Sequence, residues 1–452
     1  VLADETVKSR IGRLERIPLS QAERFERRPI DIGGSIMTVE EFVTRRRFLT
    51  RAAAATFAAP LVVGPSALGS DGHTAPSERI NMGALGMGGR GRGVFRDLTS
   101  RPDVQAVAVS DVDQSRLKWG RSEGLAVYTD FRDLLARDDV DAVVIATPTQ
   151  WKPLHSIAAA KAGKDVYCEK PMTLCICEGR AMAGAVRRYG RIFQHGTQQR
   201  SSSEFRFACE MVRSGRIGEL KTVEVNVGGP PSECYLPAEP VPRGLDWDMW
   251  LGPAPWRPFH SRIFRGWEAW FDYSGGGMTG WGSHHFDIPQ WALDADDTGP
   301  VEIIPRDGKD VKLLTFRYAN GVDVYHTGRM GEWAVVFQGS EGKIAVNRGK
   351  LQTWPESIMQ KPTAADEVHL YKSPGEQTSG HCSDFVRSIR TRQKPAADVE
   401  IGHRTMTVCH LGNIAYWLKR PLKWDPHKEQ FVGDPQANCW LDRPRRDPWT
   451  LS

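Results

Sequence analysis

The sequence contains no apolar run long enough to span a bilayer. Its longest small-residue apolar stretch, residues 52–63, falls well short of the roughly 20 residues a transmembrane helix needs. It has eight cysteines, at 168, 175, 177, 209, 234, 382, 409 and 439, and no two stand at C-x-x-C spacing. Cys175-Ile-Cys177 alone supplies too few ligands for a zinc centre, so no metal site is expected. A chain of this length folds without disulfides. Charge of one sign is also scarce. Of 60 basic and 55 acidic residues, 11 and 8 fall in the first 69, which leaves the remainder at +2. That balance excludes an extended nucleic-acid surface. No internal repeat is visible.

What is present suits a soluble globular protein: 40% apolar and 25% charged residues over 452 positions. The length predicts two domains, each with its own core. Ahead of them, Thr44-Arg-Arg-Arg-Phe-Leu-Thr50 has the form of a twin-arginine motif. The apolar run at 52–63 and Ala67-Leu68-Gly69, a candidate cleavage site, complete an export signal over residues 37–69. Met37 opens MTVEEFVTRRRFL and is expected to be the true start, with 1–36 an over-extension. The expected location is therefore the periplasm. Twin-arginine substrates cross the membrane folded, which accommodates free thiols.

The chain is organised around residues 80–93, INMGALGMGGRGRG. An apolar strand runs into a glycine cluster in which Gly86, Gly88 and Gly91 fit G-x-G-x-x-G, and a helix follows. Gly86 allows the tight turn, Gly88 and Gly89 let backbone approach a pyrophosphate, and Gly91 lets the helix pack on the strand. The helix N-terminus faces the phosphates. A second strand, 104–110, ends at Asp111, about 20 residues past the loop, where an acid hydrogen-bonds the adenosine ribose and repels a 2′-phosphate. NAD is therefore expected over NADP.

Strand-like runs at 80–85, 104–110, 142–146, 165–167 and 192–194 alternate with helical ones such as 131–136 and 154–162. Alternation with near-continuous apolar strands predicts a parallel, doubly wound sheet. From 198 the pattern changes. After a helix at 204–214 come longer strands at 221–227, 311–318, 322–327, 333–338 and 343–346, with Asn320-Gly321 as a hairpin turn. Helices at 381–392 and 402–418 are expected to return to the first domain, and 421–452 to form an irregular tail. The fold class is thus α/β, an N-terminal Rossmann domain plus a C-terminal α/β domain with an open, mostly antiparallel sheet. The expected boundaries are 1–78 for the extension, signal and linker, 79–197 for the Rossmann domain, 198–425 for the substrate and oligomerisation domain, and 426–452 for the tail.

Further motifs lie where open α/β sheets bind ligands: Ala146-Thr147-Pro148 after the third strand read and Glu169-Lys170-Pro171 after the fourth. Together with the glycine loop and GGGMTGWGSHHFD at 275–287, they resemble the glucose–fructose oxidoreductase/inositol dehydrogenase (Gfo/Idh/MocA) family over roughly residues 78–350. The stretch from Gly402-His-Arg404 to Trp449 resembles the C-terminal extension of its exported bacterial members. The resemblance implies hydride transfer between a nicotinamide cofactor and a sugar or polyol, and a homo-oligomer, dimer or tetramer. It makes Lys170, preceding a cis proline, the catalytic lysine. His284 becomes the proton relay, and Asp287 either orients it or binds a substrate hydroxyl. Thr147, Pro148 and Glu169 join the cofactor site. His285 competes with His284 for the same role. Two positions depart from the family's pattern. Gly280 stands where Asp often precedes the histidine by four residues, and Lys152 stands where His often follows the ATP motif.

Residues 247–291 hold seven of the fifteen tryptophans. Indole rings stack on the C–H faces of sugars, so two or three, Trp281 among them, are expected in a site and the rest in packing. Gln198 and Arg200 follow the last Rossmann strand and are expected to line the same cleft; Arg262 and Arg265 could meet an acidic sugar. Two other functions fit the same residues. One is an NAD-dependent glycoside hydrolase or lyase that uses transient oxidation. The other is a non-catalytic sugar sensor. An exported enzyme meets little free NAD, so the cofactor is expected to be tightly bound and loaded before export, with the C-terminal tail helping to cover it.

Overall fold

The computed structural model describes residues 74–451. The twin-arginine motif, Met37 and the expected cleavage site lie outside them. Six parallel strands form the first sheet: β1 (Ile80–Leu85), β2 (Val104–Ser110), β3 (Ala126–Tyr128), β4 (Ala142–Ile145), β5 (Asp165–Cys168) and β6 (Phe193–His195). Their order is β3-β2-β1-β4-β5-β6, so the strand order reverses between β1 and β4. Both faces are buried with a period of two, as side chains alternate across a strand. Met82, Ala84, Ala142, Val144 and Tyr167 face one core. Val143, Ile145, Val166 and Cys168 face the other. The short β3 is absent from the expected strands; its three residues are all half-buried and carry no clear apolar pattern.

The second sheet is open and has nine strands. After β7 (Leu220–Val225) come β8 (Glu302–Ile304), β9 (Leu314–Arg317), β10 (Asp323–His326), β11 (Val335–Gly339), β12 (Lys343–Asn347), β13 (Lys350–Trp354), β14 (Leu422–Asp425) and β15 (Gln430–Phe431). The order is β13-β12-β11-β7-β10-β9-β8-β14-β15. The β7–β10 pair is parallel and its other pairings are antiparallel. Asn320-Gly321 forms the β9–β10 turn as expected: Gly321 has φ +84, and Tyr318 N donates to Val322 O at 3.0 Å.

Two late helices tie the sheets together. Helix Gln377–Thr391 inserts Cys382, Phe385 and Val386 beside β1 and β4. Helix Val399–Leu418 gives Val399 and Met406 to the Rossmann core and Val408, Leu411, Ile414 and Ala415 to the core of the second sheet. A helix apolar all round is a buried helix. Residues 421–452, expected to be irregular, instead carry β14 and β15 at the edge of the second sheet. Beyond them Trp449 packs against Trp151, ring centroids 4.6 Å apart. Leu422 and Trp424 are 1% and 3% exposed, so edge pairing buries apolar groups that a free tail would leave in water.

Candidate functional site

The glycine loop sits at the reversal of strand order. Gly86 has φ +88, and a Cβ there would lie 2.8 Å from Thr147 N, so the turn closes against the loop after β4. A Cβ on Gly91 would lie 2.0 Å from Gly86 O, whereas Gly89 has nothing within 4 Å and Gly88 meets only Arg116 at 3.7 Å. The loop is therefore tight where helix Gly89–Thr99 joins β1, and open where the first turn of that helix presents its amides. An open, glycine-lined helix N-terminus fits a pyrophosphate. Beside it a pocket is lined by Asp111, Phe131, Pro148, Trp151 and His155. Its aromatic wall is ordered, with Trp151 and His155 stacked at 4.7 Å and Phe131 4.4 Å from His155. Thr147 Oγ1 contacts His155 Nδ1 at 3.2 Å.

Asp111 is buried at the end of β2. Its Oδ2 accepts from Met87 N at 2.7 Å and its Oδ1 from Asp113 N at 2.9 Å, which leaves lone pairs free on both oxygens. Arg116 Nη1 lies 3.6 Å from Oδ2. Burial raises the Asp111 carboxyl above its usual range, opposed by Arg116 and the two amides.

The Glu169-Lys170-Pro171 segment follows β5, with a cis bond before the proline. Glu169 is buried and accepts from Arg90 Nε at 2.8 Å. The glycine loop and the segment after β5 are thereby joined by an ion pair. Gln198, with its amide turned to satisfy both ends, donates to Gly196 O at 2.6 Å and accepts from Arg90 Nη2 at 2.8 Å. Lys170 Nζ lies 3.9 Å from Glu268 Oε1. Beneath it Lys152, 1% exposed, donates from Nζ to Lys170 O and Pro171 O, each at 2.9 Å. Burial lowers its pKa to about 8, partly offset by Cys168 and Glu169.

His284 is 2% exposed. Its Nδ1 is buried without a partner, so Nε2 is the nitrogen with access to the cleft. Burial, then the charges of Lys170 and Arg348, hold its pKa well below the ordinary histidine value. The imidazole is neutral, and Lys170 acts on it from the other domain. Trp281 is 40% exposed, with its ring 5.9 Å from His284 and 5.5 Å from His285. His285 Nδ1 contacts Asn226 O at 2.8 Å, and burial lowers its pKa to about 4.

Asp287 and Arg200 are placed differently. Asp287 is fully buried and accepts from Arg200 Nε at 2.8 Å and from Thr405 Oγ1 at 2.8 Å. Arg200 Nη1 and Nη2 reach Asp296 at 2.9 and 2.6 Å. This is an internal ion network joining the segment after β6 to helix Asp287–Ala292, and among the described residues Asp287 makes no hydrogen bond to His284. The charge of Lys170 reaches His284, Trp281 lies against His284, and Asp287 and Arg200 are seated in the core.

Of the tryptophans at 247–291, Trp247 and Trp250 stack at 4.6 Å within a core cluster, and Trp291 is buried. Lys152 Nζ lies 5.5 Å from the Trp267 ring. The Arg262 guanidinium stands over Trp270 at 5.6 Å.

Two family models cover most of the described chain. One, "Oxidoreductase family, NAD-binding Rossmann fold", matches residues 80–197. The other, "Oxidoreductase family, C-terminal alpha/beta domain", matches 231–451. The myo-inositol 2-dehydrogenase of Thermotoga maritima is 30% identical over 76% of this chain and 98% of its own length. The chain belongs to the Gfo/Idh/MocA oxidoreductase family.

Other curated relatives are matched over less of their length. The inositol 2-dehydrogenase 2 of Saccharopolyspora erythraea is 27% identical over 54% of this chain and 64% of itself, and two further relatives are spanned over only 46% and 43% of their lengths. Among solved structures, the WlbA dehydrogenase of Bordetella pertussis in complex with NADH and UDP-GlcNAcA is similar with a TM-score of 0.55. It is 17% identical and covers 77% of this chain and 98% of its own; that likeness shows the fold.

Several site residues escape a reading of the family's motifs. Arg90 had a signal, as the charged residue inside the glycine fingerprint. Glu268, Phe131 and His155 had none, because their place in the site depends on how distant loops meet.

Proposed function

We propose that the protein is an NAD-dependent oxidoreductase acting on a CH–OH group of a sugar, polyol or glycoside. What supports this reading is that Glu169 and Lys170 follow β5 beside the open glycine loop, joined to it through Arg90, while the charge of Lys170 acts on buried His284 from the other domain. Gly88, Gly89 and the helix N-terminus would hold the cofactor's pyrophosphate. The Phe131–Trp151–His155 wall and Asp111 would hold its adenosine. When bound, the cofactor accepts or supplies the hydride. Lys170 Nζ donates a hydrogen bond to the reacting oxygen and stabilises the charge developing there. His284 Nε2, neutral and unpartnered, takes the hydroxyl proton in oxidation and returns it in reduction. Trp281 offers an apolar edge to the sugar ring.

Asp111 favours NAD, and Arg116 weakens that preference by neutralising part of its charge. The protein is exported through the signal at 37–69 with its cofactor already bound, and assembles as a homo-oligomer. The test follows NADH absorbance and released sugar together, with a sugar and glycoside panel and purified protein. NADH formed with a free sugar or polyol supports the dehydrogenase. Sugar release from a glycoside without net NADH replaces it by the redox hydrolase. Denaturing protein purified without nucleotide, and assaying the supernatant, reads the bound NAD(H) directly.

A further inference from the structure

The charges around His284 do not balance. Arg90 is paired with Glu169 at 2.8 Å, and Lys170 has Glu268 at 3.9 Å. Arg348 is different. It lies on the β12–β13 turn, where Gly349 has φ +67. The turn is pinned on both sides, with Gly349 N donating to Glu204 Oε1 at 2.8 Å and Asn347 Nδ2 donating to Glu332 O at 2.6 Å. The pinned turn holds the Arg348 guanidinium over the Trp281 ring at 5.0 Å. Among the described residues that guanidinium has no hydrogen-bond or ion-pair partner. Glu204, whose Oε1 accepts the turn's amide, also favours the Arg348 cation. Arg348 is exposed; desolvation and the like charge of Arg90 disfavour its cation and Glu204 partly offsets them, a residual cost that an approaching anion lowers.

Gly280 ends the short helix Gly276–Gly280, and His284 lies on the next, Gly282–His285, with Trp281 between them. A Cβ built on Gly280 meets nothing within 4 Å. Trp281 thus stands between the two groups, its ring 5.9 Å from His284 and 5.0 Å from the Arg348 guanidinium, which has no side-chain hydrogen-bond partner of its own among the described residues.

We propose that the substrate is a sugar acid whose single carboxylate is held by Arg348 beside Trp281. This rests on the oxidoreductase reading and narrows it. A planar guanidinium presents paired N–H donors that match a carboxylate bidentately. One unpaired positive charge calls for one negative charge, which is why a carboxylate fits better than a phosphate dianion. Anchored there, the carboxylate turns the adjacent carbinol carbon toward His284 Nε2 and Lys170 Nζ.

The experiment compares matched pairs on NAD-loaded protein: glucuronate with glucose, galacturonate with galactose, gluconate with glucitol. Binding is read by calorimetry and oxidation by NADH formation. At least one acid should be preferred over its neutral partner. Arg348→Met should reduce that preference by about tenfold to a hundredfold, the worth of a hydrogen bond to a charged group, while leaving the Kd for NAD unchanged. Gly280→Asp, which adds a carboxylate next to Trp281 in the chain, should shift the preference toward the neutral sugar by like-charge repulsion. Three results would overturn the proposal: no acid preferred over its partner, tighter binding of glucose 6-phosphate than of glucuronate, or an Arg348→Met variant that loses NAD instead of acid selectivity. Acid binding without NADH formation would keep the carboxylate site and remove the dehydrogenase.

Discussion

Lys170 and Lys152 are stacked through a shared backbone turn, yet their surroundings assign them opposite work. Lys170 is partly exposed to the cleft and tethered loosely to Glu268. Lys152 is sealed beneath it and spends its ammonium on two carbonyls. Lys170→Ala should lower kcat/KM by about 10²–10³, the range for losing one hydrogen-bond donor to the developing charge, with little change in the Kd for NAD. Steady-state kinetics beside a fluorescence titration checks both, and unaltered turnover would move the chemistry elsewhere. Lys152 makes a prediction in pH. Its folded-state value is lowered to about 8 from an ordinary 10.5. Below about 8 the fold carries the cost of a buried charge. Between 8 and 10.5 the folded protein has released a proton that the unfolded chain still holds, so this residue's contribution to stability rises with pH across that window. At about 1.36 kcal/mol per pKa unit the gain is roughly 3 kcal/mol. Lys152→Met removes it, so the variant should lose ground to the parent by about that amount as pH rises through the window. Urea unfolding midpoints of both proteins at the two ends measure it.

The element that concentrates constraint is the β1–glycine loop–helix unit. Its glycines look alike in sequence, and the structure separates them. A Cβ on Gly91 collides with backbone, 2.0 Å from Gly86 O; one on Gly89 meets nothing. Gly91→Ala should push helix Gly89–Thr99 off β1, destabilise by about 1–3 kcal/mol and weaken NAD binding at least about tenfold. Gly89→Ala should leave thermal stability unchanged or slightly raised, since alanine is the better helix former. Melting curves of the two variants without nucleotide decide the first point, and a titration the second. Elements with strong local patterning matched their expected positions: β1 and β2 end to end, helix Ser203–Arg213 within a residue, and the Asn320-Gly321 hairpin. Elements held by partners did not announce themselves. β8 and β14 are short and pair with each other across more than a hundred residues of chain.

At the scale of the whole molecule, the chain returns on itself to close the nucleotide pocket. Arg446 is fastened to Gly252 O and Asp248 O, each at 2.9 Å. Trp449, a few residues on, backs Trp151 and Phe131, which line that pocket. Deleting residues 446–452 should raise the Kd for NAD about tenfold, since two aromatic contacts of roughly 0.5–1.5 kcal/mol each support the wall. Turnover at saturating NAD should stay near the parent's; an unchanged Kd would show that the wall stands without its backing. The sequence by itself determined the parallel Rossmann sheet, the glycine loop, the Asp111 position and the family, because each is written in local spacing. Strand alternation, glycine at a positive φ and a motif at a strand's end need no distant partner to be recognised. Tertiary structure alone decided which partners the motif residues take. Asp287 shares a helical face with His284 in sequence, yet its carboxylate is claimed by Arg200, 87 residues away. Arg348 has no motif at all and lies over Trp281 because a hairpin turn carries it there. A buried charge takes whatever partner the fold closes onto it, and that partner is set by how the chain packs, which spacing along the sequence does not record.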